Sequence, residues 1–189
     1  MTRFFDFLTA RTTLEKPNLE KLFAMTTAAV TLDVNLGMTF AQRAAICFRP
    51  LASRHFRESG QDLSAMLSSA SLDFDSKLTQ TTDEHSYEWL VIEDPEIDEA
   101  VTEINLVAQT LTENGFGDQL VCAIFGFGRA GEHARFVYNF KRGSFYPFVQ
   151  SGENGRDTAR ELELQSRLEK ELPLEPDFAR WFPLFGAPA

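Results

Sequence analysis

The chain has 189 residues, enough for one substantial core and within the usual span of a single domain. Its 43% hydrophobic and 24% charged side chains are those of an ordinary globular protein, which excludes wholesale disorder. With 28 acidic against 18 basic side chains the net charge is -10, which disfavours diffuse attraction to nucleic acid or anionic lipid and leaves a cationic or protein partner as the easier match.

Residues 1 to 15 read as a short amphipathic appendage, and 16 to 189 as one domain. Phe4, Phe5, Phe7 and Leu8 cover one side of two helical turns, while Arg3, Asp6 and Arg11 stay wet. So short a helix is marginal alone and needs a surface, either its own domain, a partner or a membrane. Arg11 and the neighbouring threonines interrupt any h-region, so no secretory signal is expected. No stretch approaches the roughly 18 apolar residues of a spanning helix.

Asn18 is placed to cap a short helix carrying Leu19, Leu22 and Phe23. Val30, Leu32, Val34 and Leu36 then alternate as in a half-buried strand closed by Gly37, and Ala44 to Phe48 is a second strand. Ser59 and Asp62 open a helix through Leu63, Met66, Leu67 and Ala70, and Leu72, Phe74 and Leu78 fit an edge strand loosely. Glu88 to Ile92 is a firmer strand. After it Asp94 caps and Pro95 starts a helix with Ile97, Val101, Ile104, Ala108 and Leu111 on one face, Glu96, Glu99 and Glu103 on the solvated side, and Gly115 as C-cap. Leu120 to Phe127 and Ala134 to Phe140 form a hairpin with a six-residue loop. Thr158 to Leu172 is the last helix, stopped by Pro173 and Pro176.

These elements predict a single α+β domain: a mixed or antiparallel sheet packed with helices, with two helix-strand-strand units at 18–48 and 95–140. Much of the phenylalanine, 18 residues in all, gathers beside turns and ends, notably at Phe145, Tyr146, Pro147 and Phe148 and at Trp181, Phe182, Pro183 and Phe185. Left together on the surface the last group would make a large apolar patch, so the tail is expected to fold back.

Reactive groups are scattered. His55, His85 and His133 belong to no metal or protease motif, so no metal, cofactor or catalytic residue is assigned. Cys47 and Cys122 sit in apolar runs and read as buried free thiols, which points to a reducing compartment. Gly126, Gly128 and Gly131 around Arg129 lack the order of a phosphate-binding loop. The strongest local pattern is Lys141-Arg142-Gly143-Ser144-Phe145-Tyr146-Pro147-Phe148, two cations at a strand end, a tight turn and three rings. It suits an acidic peptide or a phosphate as well as a packed corner. Arg49, after the Cys47 strand, joins this cationic surface if the two strand ends are neighbours.

At these residues the chain resembles a family, the small cytosolic protein PspAB associated with the phage-shock protein PspA. The likeness runs through the Phe/Leu-rich start, Asn18 to Phe23, Thr26 to Gly37, Ile46-Cys47-Phe48-Arg49, Tyr87-Glu88-Trp89-Leu90-Val91 and Asn114-Gly115-Phe116-Gly117-Asp118-Gln119-Leu120. Its most specific parts are Tyr138 with Lys141 to Phe148, Leu174-Glu175-Pro176-Asp177, Arg180-Trp181-Phe182-Pro183 and Gly186-Ala187-Pro188. Met38 to Arg43 and Arg54 to Gly60 depart from the pattern.

The resemblance implies a cytoplasmic accessory of a PspA-linked membrane-stress response, with PspA or a companion as protein partner and no catalytic residues to carry over. Arg49, Lys141, Arg142, Phe145, Tyr146, Phe148, Arg180, Trp181 and Phe182 are the candidate contact residues. Two alternatives stay open: a small-ligand or phosphate-binding enzyme or sensor using Arg49, Lys141, Arg142 and Tyr146, and a peripheral membrane-surface sensor touching the inner face of the membrane through Phe4, Phe5 and Phe7.

Overall fold

The computed structural model describes residues 17–49, 76–129 and 131–189. A 3-10 turn at Glu20–Phe23 runs into helix α1 (Ala24–Leu36), followed by strands β1 (Thr39–Phe48), β2 (Lys77–Thr82) and β3 (Glu88–Glu93) and helix α2 (Ile97–Glu113). After a 3-10 turn at Gly117–Gln119 come strands β4 (Leu120–Arg129), β5 (Glu132–Asn139), β6 (Ser144–Ser151) and β7 (Gly155–Arg156), then helix α3 (Thr158–Leu168) and a 3-10 turn at Phe178–Arg180. The strands make one antiparallel sheet in the order β2-β3-β1-β4-β5-β6-β7. This is the single α+β domain that the sequence predicts, with the sheet antiparallel throughout.

The central strands are buried on both faces, which is why their sequences are near-continuous apolar runs. Ala44, Ile46 and Phe48 of β1, Phe125 of β4 and Phe136 of β5 share the larger core with Leu22, Met25, Leu32, Val101, Ile104 and Leu164. Alternate residues Ala45, Cys47, Ile124, Val137, Tyr146 and Phe148 face the other way and pack with Trp181 and Leu184 of the tail. The tail therefore does fold back, with Trp181 2% and Leu184 3% exposed. On the outer edge of β6, Phe145 N–H donates to Pro173 O and Glu175 N–H to Phe145 O, both at 2.8 Å, so the chain after α3 covers an edge that would otherwise invite another strand.

Several local readings change. Val30 to Leu36 belongs to α1 and forms no strand: Met25, Ala28, Ala29 and Leu32 are buried at helical spacing, while Val30 and Val34 of the alternating run are 62% and 75% exposed. The period of two in that run is real but is overridden by the packing of the helix's other positions against the core. The first helix-strand-strand unit is thus α1 with β1 alone, whereas the second, α2 with the β4-β5 hairpin, stands as read. Helix α2 begins at Ile97 with Glu96 at the N-cap, and buried Asp94 instead accepts from Glu96 N–H at 2.6 Å in a turn just before it. The β4-β5 connection is residues 130 and 131, not six residues, since Gly128 pairs with His133 and Arg129 with Glu132 inside the ladder. Helix α3 stops at Leu168, and Leu172 reaches the core through the following turn. Leu78 lies in edge strand β2, every residue of which is exposed. The appendage at 1–15, the helix at 59–70, Leu72, Phe74 and His55 lie outside the described residues, as does the divergent stretch Arg54 to Gly60.

Glu103 is a further correction. It reads as a solvated acid but is 5% exposed, its Oε1 accepting from Ser76 Oγ and its Oε2 buried without a hydrogen-bond partner among the described residues. Burial raises its pKa; the Ser76 hydroxyl opposes the shift, and Asp94 and Glu99 reinforce it. A raised carboxyl means that the native state keeps a proton the unfolded chain has released. Stability therefore falls as pH climbs from the unfolded value of about 4.3 through the folded one. Glu103→Gln removes the charge and retains an acceptor for Ser76. Its melting temperature should exceed wild type at neutral pH and converge with it near pH 4, in paired thermal melts across that range.

Candidate functional site

The site is built where three strand ends meet. Asn139, 5% exposed at the end of β5, accepts at Oδ1 from the backbone N–H of Lys141 at 3.0 Å and of Arg142 at 3.2 Å. Its carbonyl takes Gly143 N–H at 2.8 Å. Gly143 closes the turn at φ 61°, where an added Cβ would stand 3.0 Å from Asn18 Cβ, so glycine is required twice over. The turn holds both cations on the outside and sends β6 back into the sheet.

Arg49 follows β1 directly, and its N–H donates to Gln119 O at 2.9 Å, beside the first residue of β4. Strand β4 lies between β1 and β5, so the strand ends that carry Arg49 and Lys141 are one strand apart in the sheet. Lys141 is pushed below the ordinary lysine pKa, chiefly by partial burial and next by the positive charge of Arg49, with Asp118 opposing both. Arg49 and Lys141 are both half-buried, and their charges lie within electrostatic reach of each other.

Arg142 and Arg180 converge on Glu175, each at 3.6 Å from one of its oxygens. Glu175 is 4% exposed and also accepts from Ser144 Oγ at 3.3 Å and from Asp177 N–H at 3.2 Å, while Arg180 pairs with Asp177 at 2.9 Å. The two guanidiniums thus face two carboxylates, Glu175 and Asp177, which balance their charge locally. With each arginine about a third exposed, these pairs contribute orientation more than stability.

The rings of the candidate set lie elsewhere. Phe145 is fully buried against Tyr138 in the helix-side core at a centroid distance of 4.6 Å, and Phe148 and Tyr146 are buried beneath the tail. Tyr146 stacks on Trp181 at 6.2 Å and its hydroxyl donates to Phe182 O at 3.1 Å. Phe182 is half-buried. Of the nine candidates, then, the structure brings Arg49, Lys141, Arg142 and Arg180 to the surface near the corner and commits four rings to the interior.

Two organising groups escape a reading by sequence. Glu175 is one; the signal was an acid flanked by Pro173 and Pro176 with two arginines in reach only after folding. The other is the pair Arg156 and Glu161. Glu161 is fully buried, takes Val149 N–H at 2.9 Å and holds the guanidinium of Arg156, which in turn donates to Trp181 O at 2.7 Å and ties the tail down. Cys47 and Cys122 face each other across β1 and β4 as free, buried thiols. Burial foremost, then the hydrogen bond and charge of Cys122, raise the Cys47 thiol well above its ordinary pKa, which makes it a poor nucleophile. His85 and His133 are exposed. No group of three metal-type side chains is assembled among the described residues, and no helix there is long and apolar enough to cross a membrane.

Fold and corner together define a single-sheet α+β domain whose cations are presented at one end of the sheet and whose tail seals the face opposite the helices. The family PspAB, described as PspA associated protein B, matches residues 2–189, and the chain belongs to that family. The expectation drawn from the resemblance is met at the level of the family. No curated protein and no solved structure matches the chain.

Proposed function

We propose that the protein is a non-enzymatic accessory of a PspA-linked membrane-stress response and that it works by binding PspA or a companion through the cationic corner. The observation that carries this reading is the mutual repulsion of Arg49 and Lys141 in a chain of net charge -10, beside Arg142 and Arg180, which are about a third exposed on Glu175 and Asp177. Holding like charges close is unfavourable in isolation and favourable once an acidic surface meets them. Family membership supplies the class of partner. The rings at 145, 146, 148 and 181 act in this reading by fixing the corner's shape, and Phe182 borders it.

Titrating purified PspA against wild type and against Arg49→Glu/Lys141→Glu tests the proposal. The double variant should bind roughly tenfold or more weakly, with a flatter salt dependence, while its thermal melt stays close to wild type. Equal affinity would remove the corner from the interface. No binding of PspA by wild type would remove PspA as the partner.

A further inference from the structure

A groove of about 680 Å³ opens beside α1. Its apolar wall comes from Val30, Phe40, Ile97 and Phe127, and the carboxylates of Asp33, Asp98 and Glu171 stand around it. That volume falls in the range of sites that enclose a ligand of several rings. Val30 is 62% exposed at the groove and Val34, one helical turn on, is 75% exposed. Glu171 accepts from Thr31 Oγ1 at 2.8 Å through one oxygen, while its other, Oε2, is buried with no hydrogen-bond partner among the described residues. A buried carboxylate oxygen in that condition calls for a cation.

We infer that the occupant of this groove is the chain's own N-terminal segment, residues 1–16, with Phe4, Phe5, Phe7 and Leu8 against the apolar wall and Arg3 and Arg11 toward Asp33, Asp98 and Glu171. The chemistry matches on both counts. The segment carries Arg3, Arg11 and Lys16 against Asp6 and Glu15, a net of +1 in a chain of net -10, so it is attracted to the acidic rim that repels most of its own molecule. Its four apolar side chains in five positions supply what the wall lacks.

Reach and concentration also agree. The segment joins the described fold at Pro17, just before the 3-10 turn that leads into α1. Helix α1 is 13 residues long, about 20 Å at ~1.5 Å per residue. An extended chain covers up to ~3.3 Å per residue, so a stretch of about eight residues can run the length of α1 and leave the remainder to lie in the groove. A short tether holds the segment near its site at about millimolar effective concentration, so a contact too weak to form between separate molecules is populated within one. This sets the intrachain occupant ahead of a second copy or a partner helix.

The test uses the full chain with Thr2→Cys carrying a nitroxide, which labels selectively because Cys47 and Cys122 are fully buried. Amides of residues 26–33 should lose most of their signal intensity, equally at high and low protein concentration. Val30→Asp should restore that intensity, as should the triple variant Phe4→Ser/Phe5→Ser/Phe7→Ser. Arg3→Glu/Arg11→Glu should weaken the effect, and adding Asp33→Arg/Asp98→Arg should recover it. Unaffected amides at 26–33 in the labelled wild type would overturn the inference. So would broadening seen only in unlabelled chains mixed with labelled ones, which would seat a second copy in the groove.

Discussion

Trp181→Ala should lower the melting temperature by about 6–20 °C, from a loss of ~3–5 kcal/mol for a large aromatic truncated in a core, at about 2–4 °C per kcal/mol for a chain of this size. Trp181 is 2% exposed, stacks on Tyr146, meets Phe178 at 5.0 Å and donates its indole N–H to Glu175 O at 2.9 Å. Alanine leaves a cavity and an unsatisfied buried carbonyl together. The same change should uncover Cys47 and Cys122, which lie in the core cluster that Trp181 completes. Their reaction with a thiol reagent under native conditions should become fast where wild type is inert, because solvent access removes the burial that raises the Cys47 thiol. Trp181→Phe keeps a stacking ring and should show a smaller fall. Unchanged thiol kinetics in the alanine variant would mean that the tail is not the cover of this face.

The second large effect is expected at Arg156. Its guanidinium meets both oxygens of Glu161 at 2.6 to 3.1 Å, lies 5.2 Å from the centre of the Phe178 ring and holds Trp181 O. Glu161 is fully buried while Arg156 keeps 21% of its side chain in solvent. Arg156→Met strands a carboxylate in the interior and should destabilise by ~3 kcal/mol, the lower end of what breaking a buried pair brings, since water reaches one partner. Arg156→Met/Glu161→Leu should recover much of that loss, because replacing both charges removes the uncompensated one. A double variant as unstable as the single, in denaturant titrations, would show that the pair's worth is its geometry around the tail and not charge balance.

Legibility varied by element for physical reasons. The face of α2 was readable because Val101, Ile104, Ala108 and Leu111 recur at helical spacing against an acidic opposite side, and all four are fully buried. Helix α1 was not, because Val30, Leu32, Val34 and Leu36 alternate with polar residues as a strand would, and only packing against the core selects the helix. Glu103 shows the same limit from the other side: its position on the helix wheel says solvent, while neighbours brought from elsewhere in the chain enclose it. At the corner the tight turn at Gly143 was written locally, and so was the presence of two cations, whereas the side chain of Asn139 that holds the turn was read as strand. Whether the adjoining rings faced outward depended on what covered them.

From the amino-acid order alone came the α+β class, the turn at Lys141 to Gly143, the buried character of both thiols and the likeness to the PspAB family, since each rests on local spacing or on strings of adjacent residues. Only the folded chain decided that the charge of Arg49 reaches Lys141, that Glu175 gathers Arg142 and Arg180, that Arg156 anchors the tail through Glu161, and that a groove lined with acids lies beside α1. Those arrangements join residues tens of positions apart. The energy that selects them comes from burial and charge pairing across the sheet, which periodicity along one segment does not encode.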